Sequence, residues 1–336
     1  MVIAGALLIS LTIYVLSGGA DYGAGVWDIL ASGPRKQDQR DLIVRAIGPI
    51  WEANHVWLIL VVVMSFFAFS KAFALMMTAL NIPLTVMLIG IVLRGSAFTF
   101  RNFDHSHSWL QARWGRLFAS ASIVTPVVLG MCVGAIASGR VGRASQLESY
   151  WYLTTWCSPF SFVLGLFTLS LFAFLAGVYL CVQADNSRLK NDFRIRSLWA
   201  ALVTAILGFA ALFLVDRDVP GLREGLLGKE TSNFFMAVTV LVALMAVLAL
   251  RRKSYRIARF LAMGQVTLIL WGWAASQYPL LVPPDMTLSM AAAPPNLLHS
   301  LLAALIAGLI ILVPSLWYLY HVFELPARAP QEQTRR

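Results

Sequence analysis

Apolar runs about as long as a bilayer is thick recur along this chain of 336 residues, and that recurrence restricts the fold more than any motif does. Crossing the hydrocarbon takes about 20 mostly apolar helical residues, and inside it only helices and closed barrels satisfy their own backbone. Nine such segments can be marked: Val2–Val15, Trp51–Phe69, Phe73–Leu93, Leu117–Ala137, Phe160–Val182, Leu198–Val215, Phe234–Leu250, Phe260–Ser276 and Leu297–Tyr320. The predicted fold class is all-α, a polytopic membrane protein with about nine transmembrane helices. Residues 1–336 form one integral membrane domain, ending in a disordered polar tail over 326–336. With 59% hydrophobic and only 12% charged residues, a soluble globule is excluded. The first segment has no basic leader and no small-residue cleavage site, so it reads as a retained helix. The second and third are separated by little more than Ser70-Lys71-Ala72 and read as a tight hairpin, while Pro83, Pro126 and Pro314 fall within spans.

Charge orders these segments across the membrane. Twenty of the 26 Lys and Arg lie after segments 1, 3, 5 and 7 or in the C-terminal tail. By the positive-inside rule that side is cytoplasmic, which puts the N-terminus outside and the C-terminus inside. The formal charge of +10 is therefore spread over membrane loops, and nucleic acid is not among the expected partners. Cys132, Cys157 and Cys181 stand singly and the five histidines are scattered, so no metal site is expected.

Polar residues inside or beside apolar segments are costly and demand a reason. In "LSGGADYGAGVWD", residues 16–28, four glycines accompany Asp21 and Asp28. Glycine lets the chain turn or break a helix, and a solvated interfacial loop fits the stretch equally well. In "GPIWEANHVW", residues 48–57, Pro49 and Glu52 suit a first helical turn, and Glu52 and His55 share a face three residues apart. That pair could relay protons; a capping charge beside a hydrogen-bonded histidine is the simpler reading, and Trp51 and Trp57 equally suit interface anchors. In "LRGSAFTFRNFDHSHSW", Arg94, Phe98, Arg101 and His105 fall on one stripe if the helix continues past Arg94. Both guanidiniums could then pair with Asp21, Asp28, Glu52 or Asp104, or reach lipid phosphates. Gln265, His299 and His321 near the later helices read as hydrogen-bonded structure.

Together "GGADYGAGVWD", "GPIWEANHVWL" and "RGSAFTFR", in that order, resemble subunit II of the cytochrome bd-type quinol oxidases of bacteria over nearly the whole chain. The first motif is most similar in form to the shorter, cyanide-insensitive branch. The resemblance implies a complex of the bacterial inner membrane that oxidises ubiquinol or menaquinol at the outer face and reduces O2 to water with cytoplasmic protons. It implies that haems b and d reside in the partner, subunit I, and that this chain binds none of them alone. A structural quinone and a small accessory membrane subunit occur in some members. Carried over by motif, Glu52 and His55 are the proton-path candidates, and Asp21, Trp51, Trp57, Arg94 and Arg101 the structural or haem-supporting ones. No residue is expected to be directly catalytic. Two departures bear on this: Gly18 replaces an aspartate of longer members, and Thr99 stands where some carry an acid in their proposed proton path. The competing reading is a proton-coupled secondary transporter, its site a broken helix around Gly18–Gly25 with Asp21 and Glu52 as coupling acids.

Overall fold

The computed structural model describes residues 1–48, 53–103, 108–143 and 151–324. The opening helix α1, Val2–Ile29, is followed by α2, Lys36–Ile47. Next come α3, Ala53–Ala68, α4, Ser70–Ala79, and α5, Asn81–Phe103. The middle of the chain holds α6, Ser108–Ala137, the short α7, Trp151–Thr154, α8, Pro159–Gln183, and α9, Ser187–Asp218. Then follow α10, Pro220–Leu227, α11, Glu230–Arg251, and α12, Tyr255–Gln277. A two-stranded antiparallel hairpin, β1 (Leu280–Val282) and β2 (Met286–Thr287), precedes α13, Leu288–Ala291, and α14, Pro295–Glu324. Among the described residues eight helices are long and apolar enough to span a bilayer, and α3 with α4 form a pair bent by 117°. The all-α polytopic class therefore holds, with the small hairpin as an addition.

Three details of the sequence reading are corrected. First, α1 does not stop at Val15: it runs on as one helix through all four glycines of residues 16–28. None of these glycines has a positive φ, which among glycines is found at Gly33 and Gly139. Gly19, Gly23 and Gly25 serve helix packing while Gly18 leaves room for the Tyr14 ring of its own helix, and the turn comes later, at Gly33, where φ is 78°. Second, the connection between the first two expected spans, residues 16–50, is not all loop: it contains α2. Its buried Gln39, Leu42, Ile43 and Ile47 lie along one face while Lys36, Gln37, Asp41 and Arg45 stay exposed. Third, the segment expected to run from Phe73 to Leu93 is broken at Leu80. Pro83 then falls in the first turn of α5, where its missing N–H costs nothing because those amides lack intrahelical acceptors anyway.

Helix α8 is the centre of the bundle, in contact with α1, α6, α9 and α12. Small residues set these spacings. A Cβ added to Gly23 of α1 would overlap the Phe172 carbonyl of α8, and one on Gly19 would meet the Phe172 ring. Between α6 and α8 the same holds for Gly130 against Leu164 and Gly165, and for Gly134 against Ser161. These are small-xxx-small pairs, which let helix backbones approach closely where no hydrophobic effect drives helices together in lipid. Trp27 closes the α1–α8 contact by donating its Nε1–H to the Ala173 carbonyl at 2.8 Å. At the other end of the bundle the β-hairpin seats Pro283 over Gly142, and Val141 and Val282 are fully buried beside each other's elements. Helix α14 is different: it meets the bundle mainly through α3, and Ile310, Ile311 and Trp317 are each about two-thirds exposed.

Candidate functional site

The continuous α1 carries Asp21 and Asp28 seven residues apart, two helical turns on one face. Helix α5 carries Arg94 and Arg101 with the same spacing and, because it extends to Phe103, on one stripe as well. The two periods match, and the structure joins them rung to rung. Arg94 Nη1 donates to Asp21 Oδ2 at 2.7 Å, and Nη2 donates to Asp21 Oδ1 and, at 3.1 Å, to the Asp21 carbonyl. Arg101 Nη1 and Nη2 donate to the two oxygens of Asp28 at 2.8 and 3.2 Å. Both pairs are fork-to-fork, the geometry that makes arginine rather than lysine suitable.

The first rung is the more enclosed. Arg94 is 2% and Asp21 5% exposed. Arg94 Nε donates to Ser122 Oγ at 3.0 Å, and that hydroxyl donates in turn to the Phe118 carbonyl at 2.7 Å. Ser122 can reach in because α1 has Gly25 opposite it, where a Cβ would overlap the serine side chain. The guanidinium lies between the rings of Tyr22 and Phe118, its central carbon 4.8 and 4.9 Å from their centroids. Cation–π attraction there adds to the ion pair in a desolvated setting. Asn54, from the first turn of α3, donates to Asp21 Oδ2 at 3.4 Å. The second rung is closer to the surface: Asp28 is buried, Arg101 is partly exposed, and Arg40 of α2 approaches Asp28 Oδ1 at 3.8 Å.

Thus Asp21, Asp28, Arg94 and Arg101 are brought together, and the aspartates are buried rather than solvated. Trp57 is half-buried on α3 and makes none of the cluster's bonds. Trp51 and Glu52 lie outside the described residues, as do Asp104, His105 and His107. His55 lines a groove between α3 and α5 of about 400 Å³, together with Gly95, Ser96, Thr99 and Phe100. Thr99 donates its hydroxyl to the Gly95 carbonyl of its own helix at 3.1 Å. Sequence reasoning did not single out Ser122, Tyr22, Phe118 or Asn54. A lone serine in an apolar helix carries no signal, although the glycines facing these groups do. It also missed Arg35, which clamps Asp192 of α9 at 2.6 and 2.9 Å. Asp192's hydrogen bonds and charge raise the Arg35 pKa above its usual value.

Haem does not fit these residues. Among the described residues the groove at His55 offers one imidazole with apolar, glycine, serine and threonine neighbours and no cation to hold propionates. Nor does any group of three or more His, Cys, Asp or Glu among the described residues converge as a metal site would.

Fold and site thus define a polytopic helical membrane protein whose interior is pinned by two arginine–aspartate rungs between α1 and α5. The model of the family described as cytochrome bd terminal oxidase subunit II matches residues 1–323, and the chain belongs to that family. It is 26% identical over 238 residues to cytochrome bd ubiquinol oxidase subunit 2 of Bacillus subtilis, spanning 70% of this chain and 68% of that one. With cytochrome bd-I ubiquinol oxidase subunit 2 of Escherichia coli K12 it shares 22% identity over 236 residues, 69% of this chain and 59% of that one. The solved bd oxidase of Geobacillus thermodenitrificans superposes with a TM-score of 0.78 at 20% identity, covering 96% of this chain and 97% of its counterpart. That last likeness carries the fold.

The transporter reading falls on two findings. Its broken helix at Gly18–Gly25 is an unbroken stretch of α1, and the family match is to an oxidase subunit.

Proposed function

We propose that this chain acts as subunit II of a quinol:O2 oxidoreductase of the bacterial inner membrane, packed against a haem-bearing subunit I that carries haems b and d. The match to the oxidase subunit family over residues 1–323 is the observation that carries this reading. With the haems in subunit I, the part left to this chain in that reading is structural and protonic. The Asp21–Arg94 and Asp28–Arg101 rungs hold α1 and α5 in register, and that rigidity supports the partner's haem region. We take the basic ends of the spans as cytoplasmic, with the N-terminus outside. In the same reading Glu52 is the entrance of a proton path and His55 its next member. Two observations support this: Glu52 stands three residues before His55, and His55 faces the groove that Thr99 also lines. Because Thr99 is no acid and donates its hydroxyl to its own helix, water or subunit I supplies the step past it in this reading. The form of the glycine motif further suggests the cyanide-insensitive branch.

The test uses the purified two-subunit complex. Its reduced-minus-oxidised spectrum should show haem bands that the isolated chain lacks, and Glu52→Gln should lower quinol-dependent O2 consumption while leaving those bands intact. Trp51→Ala should instead disturb the haem spectrum of the partner. Unchanged O2 consumption in Glu52→Gln would remove Glu52 from any essential path. A chain that purified without a haem-bearing partner and moved a solute across vesicles would overturn the oxidase reading.

A further inference from the structure

A second polar cluster lies away from the two rungs, where the turn after α1 meets the first turns of α9. Here Arg35, Gln39, Asp192 and Arg196 line a cavity of about 250 Å³, with Ser32 and Ile195 at its wall. Its charges do not balance. Asp192 has both oxygens engaged, by the Arg35 fork and by Gln39 Nε2 at 3.1 Å. Arg196 has no such partner: its Nη2 donates to two neutral acceptors, the Leu30 carbonyl at 3.1 Å and Gln39 Oε1 at 2.9 Å. Its Nη1 is buried with no hydrogen-bond acceptor among the described residues, and the guanidinium lies over the Phe193 and Trp27 rings, 5.5 and 6.0 Å from their centroids. One guanidinium of the two is thus neutralised, and the other carries a surplus positive charge at the cavity wall. A half-buried cation without a carboxylate partner of its own leaves charge for a ligand, and a monoanion with several oxygens would meet it.

The surroundings say where the anion comes from. Ile195, which belongs to the cavity wall, begins an exposed apolar stripe on α9 that continues through Trp199, Leu202 and Ile206. These are spaced by 4, 3 and 4 residues and so share one helix face. The stripe runs about 16 Å at 1.5 Å per residue, close to the depth of one leaflet, about half of the roughly 30 Å hydrocarbon core. Trp199, 64% exposed one turn below the cavity, suits the headgroup boundary. A free phosphate would use the cation and ignore the stripe; a phospholipid uses both.

We propose that this cavity binds the phosphodiester of an anionic phospholipid, with Arg196 as its main ligand and one acyl chain lying along Ile195, Trp199, Leu202 and Ile206. Basic pockets beside membrane helices bind acidic headgroups by this chemistry. Arg35 acts through Asp192, holding that carboxylate away from the lipid phosphate.

Native mass spectrometry of the delipidated two-subunit complex tests it, with phosphatidylglycerol, phosphatidylcholine and inorganic phosphate as separate probes. Phosphatidylglycerol should bind at least about tenfold more tightly than phosphatidylcholine, a difference of about 1.4 kcal/mol. Arg196→Gln should abolish that preference. Ile195→Asp, an exposed position whose change leaves every bond named above intact, should weaken phosphatidylglycerol binding in a chain that still assembles. Equal binding of the two lipids, or a preference surviving both substitutions, would overturn the proposal. Inorganic phosphate competing as well as the lipid would overturn the lipid as source. Loss of the partner subunit in Arg196→Gln, with the lipid preference intact in Ile195→Asp, would assign the charge to a protein contact instead.

Discussion

Replacing Asp21 by asparagine removes one charge and almost no volume, and it isolates what the inner rung contributes. Arg94, 2% exposed, would keep its bond to Ser122 and its two flanking rings but lose the one carboxylate that pairs with it among the described residues. Breaking a buried pair from one side costs about 3–5 kcal/mol because the remaining charge is uncompensated. The asparagine oxygen still accepts one hydrogen bond, which places the loss near the lower end, about 3 kcal/mol. For a chain of this size that lowers the unfolding midpoint by about 6 °C, at about 2 °C per kcal/mol. The assay is thermal unfolding of the purified complex, followed by tryptophan fluorescence and by O2 consumption remaining after heating. Two companions fix the interpretation. Arg35→Gln breaks a pair whose side chains are 34% and 16% exposed, so solvent screening should keep its midpoint shift well below that of Asp21→Asn. Asp21→Asn combined with Arg94→Gln removes both charges and should recover most of the loss, since a pair removed whole is nearly neutral. Were Asp21→Asn to lower the midpoint no further than Arg35→Gln does, the reasoning about uncompensated burial would be refuted.

The membrane spans were legible because hydropathy over about 20 residues is a strong one-dimensional signal, and α8, α11 and α12 begin and end within a few residues of where the runs do. What that signal could not convey was the role of glycine in α1. On paper four glycines and two aspartates indicate a turn, since glycine is a poor helix former in water. Within lipid the backbone has no water to bond to, so the helix persists and the missing side chains become room for Phe172 and Ser122. The matched seven-residue spacing of Asp21 and Asp28 with Arg94 and Arg101 was present in the sequence from the start. The arginine stripe and its possible aspartate partners were legible, but the match of the two spacings becomes informative only once α1 is known to be helical past Val15, and the premature end there hid it. The break at Leu80 was hidden for a related reason: α4 and α5 are both apolar, and hydropathy averages across a bend that only backbone geometry records. Ser122 and Arg196 gave no pattern at all, because each acts through partners more than 20 residues away in the chain.

The remaining expectations probe the joints around the cluster. Arg101→Gln should cost less than any change at Arg94, about 1–2 kcal/mol, since Arg101 is partly exposed and Arg40 stays near Asp28; a larger midpoint shift than that of Asp21→Asn would invert the assigned order of the rungs. Trp27→Phe keeps an aromatic ring in the core but removes the donor to the Ala173 carbonyl, and stability should fall by at least about 1 kcal/mol, a midpoint shift of about 2 °C in the same assay. Gly23→Ala against Gly5→Ala decides whether the glycines of α1 serve packing or flexibility. Both substitutions raise helix propensity by about 1 kcal/mol, so a flexibility role would make them alike. A methyl on Gly5 meets nothing within 4 Å, whereas one on Gly23 overlaps the Phe172 carbonyl, a backbone atom that cannot turn aside. Helix α1 would have to move off α8, which strains the Trp27 bond to Ala173 and pulls Gly25 away from Ser122, the hydroxyl that holds Arg94. Overpacking of this kind costs about 1–3 kcal/mol, and the bonds disturbed beyond it put Gly23→Ala at the upper end. Gly5→Ala should leave the complex as stable as before or more so. Equal midpoints for the two variants would mean that α1 and α8 are not held at the distance the structure shows.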